Sequence, residues 1–344
     1  MKWRVHGANP NKLYKQFNIE MPEDVIDFSD NANAIKQETV LNIKYENYFD
    51  EYPDDEVFKL KEFISKKESL SINNILFTNG TNEAIYIIAS YYQNKTVAIL
   101  HPTYSEYELA LIAFGVNVSY VYDLNEVNET HAALIVCNPN NPTGRYYDYE
   151  TLDKVINRLK KINVDLIIDE AYVDFMNVKH KTLDVINNQN IYILRSLTKF
   201  YHLSGLRIGY LLSHQANINK IKRRQPTWSV NSIAQIVAYE YLNDVSFIKK
   251  TKLFYEKERN RIFNELKLLN FEVLDSKVNF FVMKVDDDES LIKYLLTKGI
   301  VVRHTRNFPK LLGKYIRITI KSVEENNYLI KSLKEYLEIS KKSI

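Results

Sequence analysis

Four short apolar runs, each stopped abruptly by polar residues, constrain this chain most. Val97 to Leu100 ends at His101, Ala133 to Val136 at Cys137-Asn138, Leu166 to Ile168 at Asp169, and Ile191 to Leu194 at Arg195-Ser196. Such runs are too short for buried helices and lack the alternation of a half-exposed strand, so they read as strands buried on both faces. A fifth, Ile75 to Thr78, precedes the turn Asn79-Gly80-Thr81-Asn82-Glu83. Helical stretches lie between them, to about Tyr92, to Phe114, and from Asp148 to Lys161. Alternating strands and helices predict an α/β fold, with a large domain built on a mostly parallel sheet flanked by helices. Ligand sites in such folds form beyond the strand ends.

The richest of these ends runs from residue 191 to residue 211. Ser196, Thr198 and Lys199 follow the strand within five positions, and Arg207 stands between Gly205 and Gly209. A lysine just past a buried strand can lose its hydration, which lowers its pKa and makes the amine nucleophilic. Two hydroxyls and an arginine beside it are donors suited to a phosphate. Taken singly, these residues would also suit a solvated loop. The turn at Gly80, Thr81 and Asn82 offers a second anion site, from free backbone N–H groups and the helix dipole. In Asn138-Pro139-Asn140-Asn141-Pro142-Thr143-Gly144, two prolines forbid a helix and predict a rigid polar loop. Asp169 ends a strand where a bare carboxylate is costly unless a cation pairs with it or it caps a helix.

Composition removes other classes. With 344 residues, 45% of them apolar and 26% charged, the chain suits two globular domains. A net charge of +3 argues against nucleic acid as a partner, and no run approaches a membrane span of roughly 18 apolar residues. No leader or preceding DNA-binding segment is expected, and no metal. The lone Cys137 allows no disulfide within the chain, suits a reducing cytoplasm, and reads as a buried, inert thiol. There are eight glycines where roughly 24 would be average, so those kept are expected where the backbone needs them.

The string Ser-x-Thr-Lys-Phe-Tyr…Gly-Leu-Arg-Ile-Gly-Tyr resembles the cofactor-lysine segment of the class I/II aminotransferase family of pyridoxal 5'-phosphate (PLP) enzymes. Asn-Pro-Asn-Asn-Pro-Thr-Gly and Asp-Glu-Ala-Tyr, at 138–144 and 169–172, strengthen the resemblance. It implies PLP fold type I, with a smaller α+β domain beside the large one. Lys199, Asp169 and Tyr172 would be the catalytic set, with Lys199 carrying PLP as an aldimine and Asp169 facing the pyridinium. The phosphate would fall to Gly80, Thr81, Asn82, Ser196, Thr198 and Arg207. Tyr104 would stack on the ring, and Asn141 and Tyr172 would reach the phenolic oxygen. Tyr52, within Tyr52-Pro53-Asp54, would reach the phosphate of a neighbouring subunit, which implies a homodimer with shared sites.

Within the family, Leu-Thr-Lys-Phe-Tyr and the early His6-Gly7-Ala8-Asn9 look most like the L-threonine O-3-phosphate decarboxylase branch, which serves cobalamin biosynthesis. Histidinol-phosphate aminotransferases are near relatives. The branch implies that His6, Gly7 and Asn31 line the substrate site, with Asn141. Arg303 and Arg317, expected on strands, offer bidentate donors for a substrate carrying phosphate and carboxylate. His304 and Arg306 are expected to be solvent-exposed. The reaction implied is decarboxylation of a phosphorylated amino acid. The alternatives are transamination of a phosphorylated amine and PLP binding without catalysis. The expected organisation is an arm, 1–34, joining the small domain; a large domain, 35–231; and linking helices with the small domain, 232–344. Further strands are expected at Phe271 to Leu274, Asn279 to Val285, Ile300 to Arg303 and Tyr315 to Ile320, with helices at Ser290 to Lys298 and Val323 to Ile339.

Overall fold

The fold is a computed structural model that describes residues 7–38, 41, 43–177, 186 and 188–342. Near the start lies a two-residue strand, β1 (Ile26–Asp27). Seven strands follow: β2 (Ile75–Thr78), β3 (Thr96–Leu100), β4 (Asn117–Val121), β5 (Ala133–Cys137), β6 (Asp165–Asp169), β7 (Ile191–Ser196) and β8 (Gly209–Ser213). The last four are β9 (Phe280–Lys284), β10 (Ile300–Val301), β11 (Arg303–His304) and β12 (Tyr315–Thr319).

The central sheet has the order β2-β8-β7-β6-β5-β3-β4. The β4-β3-β5-β6-β7 run is parallel throughout, and β8 runs antiparallel between β7 and β2. Helices cover both faces, which is why β5 is buried at every position. The two faces form separate apolar clusters. Ile168 and Ile193 fall on one, Ile167 and Leu194 on the other, following the period-two alternation of strand side chains. Arg195, on buried β7, is compensated by Glu170, with Nε 2.6 Å from the carboxylate.

The second layer is a three-stranded antiparallel sheet, β11-β12-β9, packed by the helices Asp288–Thr297 and Val323–Lys342. β1 pairs in parallel with β10, Ile26 against Ile300, so the N-terminal segment is tied to this layer. Two helices, Ser232–Leu242 and Val245–Leu268, connect the layers.

Three local expectations change. Phe271 to Leu274 is not a strand: only Val273 bridges, to Met283, because Leu274 and Glu272 share just two backbone hydrogen bonds with β9. His304 is buried rather than exposed, because β11 runs beneath the N-terminal segment. Arg306 is half-buried and grips Asp288 through three hydrogen bonds. Gly209–Ser213 is a strand that the apolar pattern did not isolate, since it follows directly on the polar lysine loop.

Candidate active site

A cavity of about 290 Å³ opens where the ends of β5, β6 and β7 meet the second layer. Cys137 and Asp169 are paired neighbours at the ends of β5 and β6, so both reach the cavity floor. The Asn138–Gly144 loop leaves β5 with Asn141 on the wall. It is a loop as the prolines require, pinned by Asn138, whose side chain bonds both backbone groups of Tyr147.

Asp169 is 3% exposed and caps no helix. Its Oδ1 accepts from the Ala171 N–H at 2.9 Å and its Oδ2 from the Tyr107 hydroxyl at 2.7 Å. Burial pushes the carboxyl up to about 6, against the two hydrogen bonds, which pull it down. A carboxylate this dry fits a cation brought by a ligand.

Lys199 follows β7 on a tight turn. Asn33 clamps that turn: its N–H donates to the Lys199 carbonyl at 3.0 Å and its amide to the Phe200 carbonyl at 2.7 Å. Burial lowers the Lys199 amine below the ordinary lysine value; Arg317 and Arg207 push the same way, and Asp30 opposes them. The strand, loop and desolvated amine therefore stand together as expected.

Beside Lys199, the Ser196 and Thr198 hydroxyls meet at 2.7 Å, and the helix Gly80–Ala89 presents its N-terminus with Thr81 and Asn82 on the lining. Gly80 stands behind them at φ +68°, and a Cβ there would lie 2.8 Å from Arg207 Nη2 and displace it. A Cβ on Gly209 would lie 3.0 Å from the Thr81 backbone nitrogen. Two of the few glycines thus make room for one arginine and one helix end. Hydroxyls, a helix N-terminus and a guanidinium on one lining are donors suited to a phosphate. Tyr104 lines the wall, its hydroxyl pushed up to about 12 by burial. Tyr172 is buried and accepts from Asn31 Nδ2 at 3.2 Å.

On the opposite wall, Arg303 and Arg317 face each other across the β11-β12 ladder. They are 3% and 6% exposed. Arg317 donates to Asn141 Oδ1 and to the Ser29 carbonyl, each at 2.6 Å, and its Nε is buried without a hydrogen bond. Arg303 donates to the His304 carbonyl and to Asn307 Oδ1. Burial, then the nearby Arg317, lowers Arg303 to about 9, and burial lowers Arg317. Two buried guanidiniums on facing strands present donors suited to an anion.

The cavity therefore gathers Gly7, Asn31, Thr81, Asn82, Tyr104, Asn141, Asp169, Tyr172, Ser196, Thr198, Lys199, Arg207, Arg303 and Arg317. Gly80 supports it from behind. Tyr52 does not reach it: it is 78% exposed and stacks on Trp228 at 4.3 Å. His6 lies outside the described residues. Sequence reasoning passed over Tyr107, Ser29, Asp30 and Phe308, all on the lining. No local signal marks Tyr107, whose contact with Asp169 spans 62 positions. Among the described residues no acidic, histidine or cysteine cluster fits a metal, and no helix is long and apolar enough to cross a membrane.

The aminotransferase class I and II family model matches residues 33–333. The threonine-phosphate decarboxylase of Salmonella typhimurium is 30% identical over 97% of this chain and 96% of its own length. The histidinol-phosphate aminotransferase of Thermoanaerobacter pseudethanolicus is 34% identical, covering 93% of this chain and 90% of the relative. Among solved structures, the histidinol-phosphate aminotransferase from Clostridium acetobutylicum superposes with a TM-score of 0.85 at 28% identity, covering 91% of this chain and 99% of that one.

Proposed function

This chain belongs to the aminotransferase class I and II family of PLP-dependent enzymes, and we propose on that premise that it decarboxylates a phosphorylated amino acid of the O-phospho-L-threonine type. Bound PLP supplies an electron sink for the bond broken at the substrate's Cα. Lys199 is the amine that holds the cofactor, and Asp169 the carboxylate that faces its ring nitrogen. Ser196, Thr198, Arg207, Thr81, Asn82 and the Gly80 backbone take the phosphate. Tyr104 stacks on the ring, and Asn141 and Tyr172 reach its phenolic oxygen.

The observation that carries the choice of substrate is the facing pair Arg303 and Arg317. Both are buried, and together they match a small substrate with one phosphate and one carboxylate. Arg317 is held by Asn141 and Ser29, so the anion it binds sits beside the cofactor-facing wall. Gly7 and Ala8 close the same wall, with the Ala8 N–H donating to Ser29 Oγ at 2.9 Å. By holding the substrate in one orientation, these residues would decide which bond at its Cα is broken.

A second reading rests on the equally similar histidinol-phosphate aminotransferases. In it, the Cα–H bond is selected and Lys199 takes and returns the proton. Incubation with O-phosphothreonine, measuring carbon dioxide, separates the two from a second incubation with glutamate, measuring the pyridoxamine form. Carbon dioxide without pyridoxamine supports decarboxylation; pyridoxamine without carbon dioxide refutes it. Neither product, with PLP bound, supports a protein that binds PLP without catalysis.

Tyr52 and Trp228 form an exposed aromatic pair. In the proposed homodimer this surface packs on a second copy, and Tyr52 serves the phosphate of that copy's site.

A further inference from the structure

Among the described residues, Asp169 has two hydrogen-bond donors, and one of them is a side chain. The Tyr107 hydroxyl lies 2.7 Å from Oδ2, on a residue 1% exposed, in the first turn of the helix Glu106–Ala113. The Tyr107 ring also packs edge-on against Tyr104, centroids 5.6 Å apart and planes at 86°. One side chain therefore touches both the cavity's buried acid and its wall aromatic. Burial, then Asp169 and Cys137, holds the Tyr107 phenol well above its usual range, so it stays a donor at every working pH.

We propose that Tyr107 is a positioning residue for the acid, drawing charge from Asp169 Oδ2 so that the proton between the carboxylate and the cofactor's ring nitrogen rests on the nitrogen. The reasoning is a competition between two bases for one proton. A carboxylate stabilised by a phenol donor is the weaker base and leaves the proton on nitrogen. Without that donor the carboxylate takes a larger share, and the ring becomes a poorer electron sink. No atom is gained or lost; the proton only changes its resting place. The inference rests on Asp169 facing the ring nitrogen.

The test uses Tyr107→Phe, which keeps the ring against Tyr104 and removes only the hydroxyl. The holoenzyme is loaded with PLP labelled with nitrogen-15 in the ring, and the chemical shift of that nitrogen is read at fixed pH. The expected result is a shift toward the unprotonated pyridine value, with kcat falling roughly ten- to hundredfold, the size of one lost hydrogen bond to a charged group, and KM little changed. Site-specific 3-fluorotyrosine at position 107, a more acidic phenol of nearly the same shape, should move the shift the opposite way. It also serves if the phenylalanine variant folds poorly. An unchanged shift in both variants overturns the proposal. Asp169→Asn is the control for its premise: if that variant also leaves the shift unchanged, the assignment of Asp169 has failed rather than the role of Tyr107.

Discussion

Replacing Asp169 by asparagine should stabilise the cofactor-free protein while crippling the loaded one. Asp169 is wholly enclosed, and burial raises its carboxyl from the ordinary 3.8 to about 6. The folded state therefore holds this proton more tightly than the unfolded chain. Between pH 4 and pH 6 the unfolded chain has released the proton and the folded protein has not, so stability falls as pH rises through that window. Above it the loss is complete. The difference of 6 and 3.8 corresponds to about 3 kcal/mol, at about 1.4 kcal/mol for each tenfold change in acidity. Asparagine matches the shape and carries no charge. Its oxygen can accept from the Ala171 N–H, and its NH₂ can donate to the Tyr107 oxygen.

The assay is urea unfolding of the cofactor-free protein at several pH values from 4 to 7.5. The variant should gain up to about 3 kcal/mol over wild type at pH 7.5 and little at pH 4. The order should reverse once PLP is present, because the ring nitrogen supplies the cation that the dry carboxylate lacks. Wild type and variant running parallel across the whole range would refute the reasoning, since Asp169 would then be adequately solvated or already paired.

Lys199→Ala should abolish covalent retention of PLP after borohydride treatment, read by mass spectrometry, and lower turnover roughly 10²- to 10⁴-fold, the usual scale for losing a positioned base. Arg317→Met should cut kcat/KM on a doubly anionic substrate by a factor of about 30 to 5,000, from a loss of about 2–5 kcal/mol. Its unfolding free energy should stay within about 2 kcal/mol of wild type, because the orphaned Asn141 and Ser29 oxygens offset relief of a desolvated charge. Mixing inactive Lys199→Ala with inactive Tyr52→Ala subunits should restore activity if Tyr52 serves the neighbouring subunit's site. No recovery after subunit exchange would place Tyr52 in its own protomer or outside the site.

Much of the site could be read along the chain because PLP-type chemistry clusters at strand ends. Asp169, Asn141, Ser196, Thr198 and Lys199 all follow buried strands within a few residues, and short apolar runs mark those strands clearly. Gly80 and Gly209 stood out because the chain spends so few glycines. Tyr107 was harder: its hydroxyl works by touching Asp169, 62 positions away, and nothing local separates it from an ordinary core tyrosine. His304 misled for a related reason. A histidine on a two-residue strand looks exposed until Gly7, Asn9 and Leu13 of the N-terminal segment line the same cleft.

The order of residues alone determined the α/β alternation, the lysine behind a buried strand and the acid at the end of another. These follow from local hydrophobic pattern and backbone chemistry, which act over a few residues. Tertiary structure decided what each charge faces. It set Arg303 opposite Arg317, brought Asn33 onto the Lys199 turn, and placed the Tyr107 hydroxyl on Asp169. Desolvation and hydrogen bonding depend on neighbours in space, and those neighbours come from segments up to 288 residues apart, as in the bond from Arg317 to Ser29.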